Sequence, residues 1–135
     1  MRISQIVDVP EIDREHQALL QLCDDLSRAN RGHAPLSRVK WIAHEIADRT
    51  AAHFAHEERE MRRAPYPHFA WHRRQHHTAR TALAALTGRI HQGDRHAARE
   101  LLSFLPAWLN DHIAIADRML GAHIRNRRRA SVARG

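Results

Sequence analysis

Hydrophobic positions along this chain return every three or four residues in four separate stretches, the period of a helix that buries one face. The first stretch runs from about Ile12 to Ala29; Ile12, His16, Leu19, Cys23 and Leu26 form one stripe, and Asn30, Gly32 and Pro35 end it. The second runs from about Leu36 to Arg63, with Val39, Ile42, Ile46, His53, Phe54, Glu57 and Met61 near its inner side. Pro65 and Pro67 break it, because proline lacks an amide donor and its ring clashes with the preceding turn. The third runs from about His68 to His91 and is closed by Gly93; the fourth runs from about Asp94 to Ile124. No alternating apolar–polar run is long enough for a strand. Long helices joined by short loops predict an all-α fold, an up-down-up-down antiparallel four-helix bundle.

With 135 residues, the chain is the right size for one domain. Residues 1–124 are expected to form the bundle. The last segment, 125–135, carries five arginines and no acid, and is expected to be a flexible basic tail. Such a tail can attract anionic partners. Nucleic acid is nonetheless not expected as a partner, and no protein partner can be named from the residues. A single cysteine, Cys23, excludes an internal disulfide framework. No apolar run approaches the roughly 20 residues of a membrane span, and the N-terminus lacks the long apolar core of a signal peptide. The expected location is cytoplasmic.

The placement of the 13 histidines matters more than their number. In HFAHEE on the second helix, His53 and Glu57 lie four residues apart and share a face. In HRRQH on the third, His72 and His76 have the same spacing, a ready bidentate site because imidazoles on adjacent turns reach one ion. The fourth helix offers His112 and Asp117, and the first offers His16 within its apolar stripe. Taken singly, each has an ordinary explanation as a core histidine or a surface contact. One shared metal site accounts for all four together.

The order IDREH, HFAHEE, HRRQH and WLNDHIAIAD resembles the hemerythrins, most closely the single-domain bacterial ones, from about Ile12 to Ile124. The resemblance implies a non-haem di-iron centre. His72, His76 and His112 would bind one iron, His16 and His53 the other, and Glu57 and Asp117 would bridge both. With a bridging oxo or hydroxo, this set fills all but one position of two octahedra. The vacancy falls on the iron with two histidines, where O2 would bind end-on as peroxide, and NO or azide-like anions could enter. An imidazole-rich set favours reversible O2 binding for storage, delivery or sensing over oxygenase chemistry. Ferritin-like oxidases, by contrast, use more glutamate. The alternatives are a di-iron enzyme acting on NO or peroxide, and a helical interaction module using the basic tail. Leu19, Leu20, Met61, Trp108, Leu109 and Ile113 are the expected apolar wall of the ligand pocket. Ala79 stands where the family commonly has a phenylalanine, so residual space is expected there. Finally, an ideal helix would set His112 and Asp117 about 140° apart. If both face one metal, a π-type widening is predicted between them.

Overall fold

The computed structural model describes residues 5–63 and 65–134. Four helical rods account for nearly all of them. Helix α1 spans Pro10–Arg31, α2 Leu36–Arg63 and α3 Phe69–His91. The fourth rod is α4 (Arg95–His112), a π-helical turn (Ile113–Asp117) and α5 (Arg118–Arg134) in unbroken succession. Each rod packs on its neighbours in sequence, and α1 closes on α4, so the chain forms the expected antiparallel four-helix bundle.

The helix ends follow from local chemistry. Pro10 occupies the first turn of α1, where a missing N–H costs nothing. Asp94 caps α4 by accepting a hydrogen bond from the His96 amide. Gly93 supplies the left-handed turn before it, at φ 98°. The core is the apolar stripe of each helix: Leu19, Leu26, Ile42, Ile46, Met61, Leu101, Leu105, Leu109 and Ile113 are at most 1% exposed. Each contributes about 1.5–3 kcal/mol by leaving water. Burial pushes the Cys23 thiol up to about 12, so this side chain behaves as a core residue.

The structure departs from the sequence reading at the C-terminal end. The last helix was expected to stop at Ile124, but it continues to Arg134. Three arginines beyond Ile124 pair back, Arg125 onto the Val7 carbonyl and the other two onto neighbouring helices. Arg127 holds the Glu60 carboxylate and backbone carbonyl, and Arg128 holds Glu11. These partners lie on α2 and α1, so periodicity within the last helix could not reveal them. Gly135, the last residue of that segment, and residues 1–4 of the N-terminal arm lie outside the described residues. The arm from Val7 passes over Gly121, where a Cβ would come within 2.6 Å of the Val7 carbonyl oxygen. Among the described residues, no helix is long and apolar enough to cross a membrane.

Candidate metal centre

All seven residues singled out by sequence come together inside the bundle. His16, His53, Glu57, His72, His76, His112 and Asp117 are each at most 3% exposed. Each rod delivers its share because the spacing of four keeps paired ligands on one face. The exception is the last rod. There the π-helical turn lies between His112 and Asp117 and adds the rotation that a spacing of five needs. Pro106 sits inside α4 without ending it.

The seven donors fall into two overlapping groups. Glu57, His72, His76, His112 and Asp117 bring donor atoms within 4.8 Å of one another, and so do His16, His53, Glu57 and Asp117. The carboxylates belong to both, and each divides its oxygens. Glu57 Oε1 faces His72 at 3.2 Å and His76 at 2.9 Å, while Oε2 faces His53 at 3.4 Å. Asp117 Oδ1 lies 3.1 Å from His72 and 3.0 Å from His112, while Oδ2 lies 2.9 Å from His16.

The hydrogen bonding inside this cluster is incomplete. Close as they lie, His16 Nε2, His53 Nε2, His112 Nε2, Glu57 Oε2 and both Asp117 oxygens are buried without a properly directed hydrogen bond. Leaving so many buried polar atoms unpaired is costly, which is a reason to expect a cation among them. Outward, three of the five histidines are paired through Nδ1, whereas His16 Nδ1 and His72 Nδ1 are not. His53 Nδ1 donates to Glu15 at 2.7 Å, His76 Nδ1 to Glu58 at 2.9 Å, and His112 Nδ1 to Gln75 at 2.7 Å. A carboxylate can only accept, so His53 and His76 carry a proton on Nδ1, which leaves Nε2 as the atom turned inward and available to a cation.

The charges agree with this arrangement. Burial alone would raise Glu57, but His53, His112, His72 and His76 hold it well below the usual carboxylate range. Asp117 is also lowered: burial and Glu57 oppose it, and His112 and His16 outweigh them. Burial works against charge on His112, yet Asp117 and Glu57 raise it to about 9. His53 and His72 are raised for the same reason. A cluster that draws protons this strongly onto imidazoles in contact with carboxylates offers the same sites to metal cations.

The family model for the hemerythrin HHE cation binding domain matches residues 7–124. This chain belongs to the hemerythrin family. Curated relatives include the bacteriohemerythrin of Ralstonia nicotianae, 29% identical over 80% of this chain and 75% of that one. The bacteriohemerythrin of Stenotrophomonas maltophilia is 30% identical over 79% of this chain and 69% of its own. Hemerythrin membership accounts for a buried His, Glu and Asp cluster able to hold metal in a four-helix bundle.

The expected pocket residues are distributed as follows. Leu19, Met61, Leu109 and Ile113 are fully buried in the core, and Ala79 is fully buried as well. Leu20 and Trp108 are partly buried against that core, and Trp108 stacks on His112 with ring centroids 4.4 Å apart. Phe54 was absent from the expected wall, yet it stacks on His76 at 4.0 Å. Sequence reasoning also passed over Glu15, Glu58 and Gln75, although each directly adjoins a candidate ligand in the chain: His16, Glu57 and His76. Each serves a histidine of another helix, which no single-helix pattern reveals. His56, one turn after His53, contacts the same Glu15 at 2.8 Å. Tyr66 lies close enough that burial, with Asp117 and Glu57 behind it, pushes its hydroxyl up to about 12.

Proposed function

We propose that this chain holds two non-haem iron ions and binds O2 reversibly. His72, His76 and His112 hold one iron and His16 and His53 the other, with Glu57, Asp117 and an oxo or hydroxo between them. The observation that carries this reading is the division of labour in each carboxylate, one oxygen toward each histidine group. Bound ferrous iron supplies the electrons that hold O2. The protein supplies the rest. Outward carboxylates and an amide orient three of the imidazoles. Phe54 and Trp108 cover the three-histidine side, and the apolar core keeps water and protons from the centre. The relatives' printed name, bacteriohemerythrin, agrees with this reading. O2 is the proposed ligand, with NO and azide-like anions able to enter the same position. The proposed location is the cytoplasm, which suits an unpaired cysteine.

The test is iron analysis followed by a spectrum. Loaded protein should carry about two irons per chain, as the ligand set requires. The reduced form should gain a visible charge-transfer band with O2 and lose it when O2 is removed. Steady turnover of NO or peroxide without reversible O2 uptake would replace this reading with an enzymatic one.

A further inference from the structure

At the end of the bundle remote from the metal centre, three cations converge without carboxylate partners. Arg31 ends α1, and Arg95 and Arg99 stand in the first two turns of α4. Together with Ser27, Asn30 and His33 they line a cleft of about 490 Å3, and among the described residues no carboxylate lines it. The acids that could neutralise the cleft are held elsewhere. Asp94 and Glu100, which adjoin Arg95 and Arg99 in sequence, both pair with Arg89. Asp24 and Asp25, one to two turns before Arg31, both pair with Arg28. Arg95 and Arg99 spend one N–H each on the neutral acceptors Ala34 O and His96 Nδ1. Arg95 Nη1 is buried and has no acceptor at all. A buried guanidinium N–H without an acceptor is costly, and an anionic oxygen is the acceptor that removes that cost best.

We propose that this cleft binds a small phosphate-bearing anion. Guanidinium forks match pairs of phosphate oxygens, and the serine and asparagine side chains add neutral hydrogen bonds at the walls. The volume admits more than one phosphate group. The lining includes no Phe, Tyr or Trp and one large apolar side chain, Leu102, so what it offers a ligand is chiefly charge and hydrogen bonds. The simplest carriers of that chemistry are a short polyphosphate and a sugar phosphate. Fifteen residues of α1 separate His16 from Arg31, about 22 Å at the helical rise, so the site does not depend on the metal reading.

The proposal is tested by calorimetric titration of the full iron-loaded chain with inorganic pyrophosphate at near-physiological salt, and in parallel with glucose 6-phosphate. The expected result is one saturable site per chain. Arg31→Glu and Arg99→Glu should each weaken it tenfold or more, while Arg129→Glu on α5 leaves it unchanged. Arg31 and Arg99 are exposed and hold no carboxylate, so both variants should melt like the parent. In the parent, amide NMR shifts on pyrophosphate addition should concentrate at Ser27, Asn30 and Leu102. Tighter binding of glucose 6-phosphate assigns the site to organic phosphates, and tighter binding of pyrophosphate to polyphosphates. Absence of saturable binding by either probe, several weak sites per chain, or equal loss in Arg129→Glu overturns the proposal.

Discussion

The three-histidine half of the cluster is walled by aromatic rings, whereas the two-histidine half lies beneath polar side chains that reach solvent. On the first side Phe54 stacks on His76 at 4.0 Å and Trp108 on His112 at 4.4 Å. The carboxylate that orients His76, Glu58, has a side chain only 9% exposed. On the second side the carboxylate that orients His53, Glu15, is 34% exposed and also contacts His56. A cleft of about 210 Å3 lined by Glu15, Ala18, Arg49, Ala52 and His53 opens there. The difference separates two tasks. A dry, stacked wall fixes ligand geometry, and a wet outer layer lets one imidazole be supported where water can replace a lost partner.

The severest test of the two-halves description removes what joins them. Glu57 touches both groups, so Glu57→Ala should drop iron content to near zero and lower the melting temperature, because bound metal stabilises only the folded state. His112→Ala should retain more iron, since it removes a terminal ligand from one half. Equal iron in Glu57→Ala and the parent would show that Glu57 is not a bridge.

Acidity gives the next largest effect, and its sign differs between iron-free and iron-loaded protein. In the iron-free chain His112 is raised to about 9 by Asp117 and Glu57 against the cost of burial. A folded-state value above the unfolded one, roughly 6.5, contributes stability that is complete below 6.5 and lost as pH rises through 9. His53 and His72 shift the same way, one in each half. Glu57 and Asp117 are lowered, so their contribution is present above roughly pH 4 and lost below it. The melting temperature of the iron-free chain should therefore peak near pH 5–6 and fall steadily toward pH 9, on the order of those reference values. Iron-loaded protein should resist that alkaline fall, because iron binds neutral imidazole. Parallel melting curves for the two forms between pH 6 and 9 would contradict this account of the cluster.

The orienting carboxylates sharpen the contrast further. Replacing such a partner typically weakens metal binding about 10–100-fold. Glu58→Gln should lie at the upper end, because a buried amide faces both His76 and Arg80, which Glu58 contacts at 2.9 Å each. Glu15→Gln should lie at the lower end, since solvent reaches it. Competition with a chelator measures both. A larger loss in Glu15→Gln would reverse the assignment of dry and wet sides.

Much of this was legible in the sequence, for reasons that also mark where legibility stops. The four rods follow from apolar periodicity and from Pro65, Pro67 and Gly93, all of them local signals. Four of the seven converging residues were visible because a spacing of four aligns side chains within one helix, and His16 because it sits in an apolar stripe. Even the π-helical turn was deducible, since a spacing of five between His112 and Asp117 cannot share a face in a regular helix. Glu15, Glu58 and Gln75 act across helices, so their partners depend on rotations that no single stripe encodes. The continuation of α5 to Arg134 depends likewise on Glu60 and Glu11 from other helices.

The smallest expected effect concerns how the dry wall is completed at Ala79. In the family a phenylalanine at this place helps cover the ligand site, and cores collapse only partly around a smaller residue. Here Ala79 is fully buried, and Phe54 stacks on His76, one turn before it. Trp108 meets the Phe54 ring edgewise at 5.6 Å, and the Arg80 guanidinium lies over it at 5.6 Å. The ring that walls this half therefore comes from α2 rather than from α3, and it also lies 6.0 Å from His53 on the other half, where the open position is expected. At equal iron loading, Phe54→Leu should speed azide binding and oxidation to the ferric state severalfold, measured by stopped-flow absorbance. Ala79→Phe should slow both rates by less, and a ring added at so buried a position should cost about 1–3 kcal/mol of stability. Unchanged rates in Phe54→Leu, with slower rates in Ala79→Phe, would return the guarding role to position 79 and leave Phe54 as ordinary core.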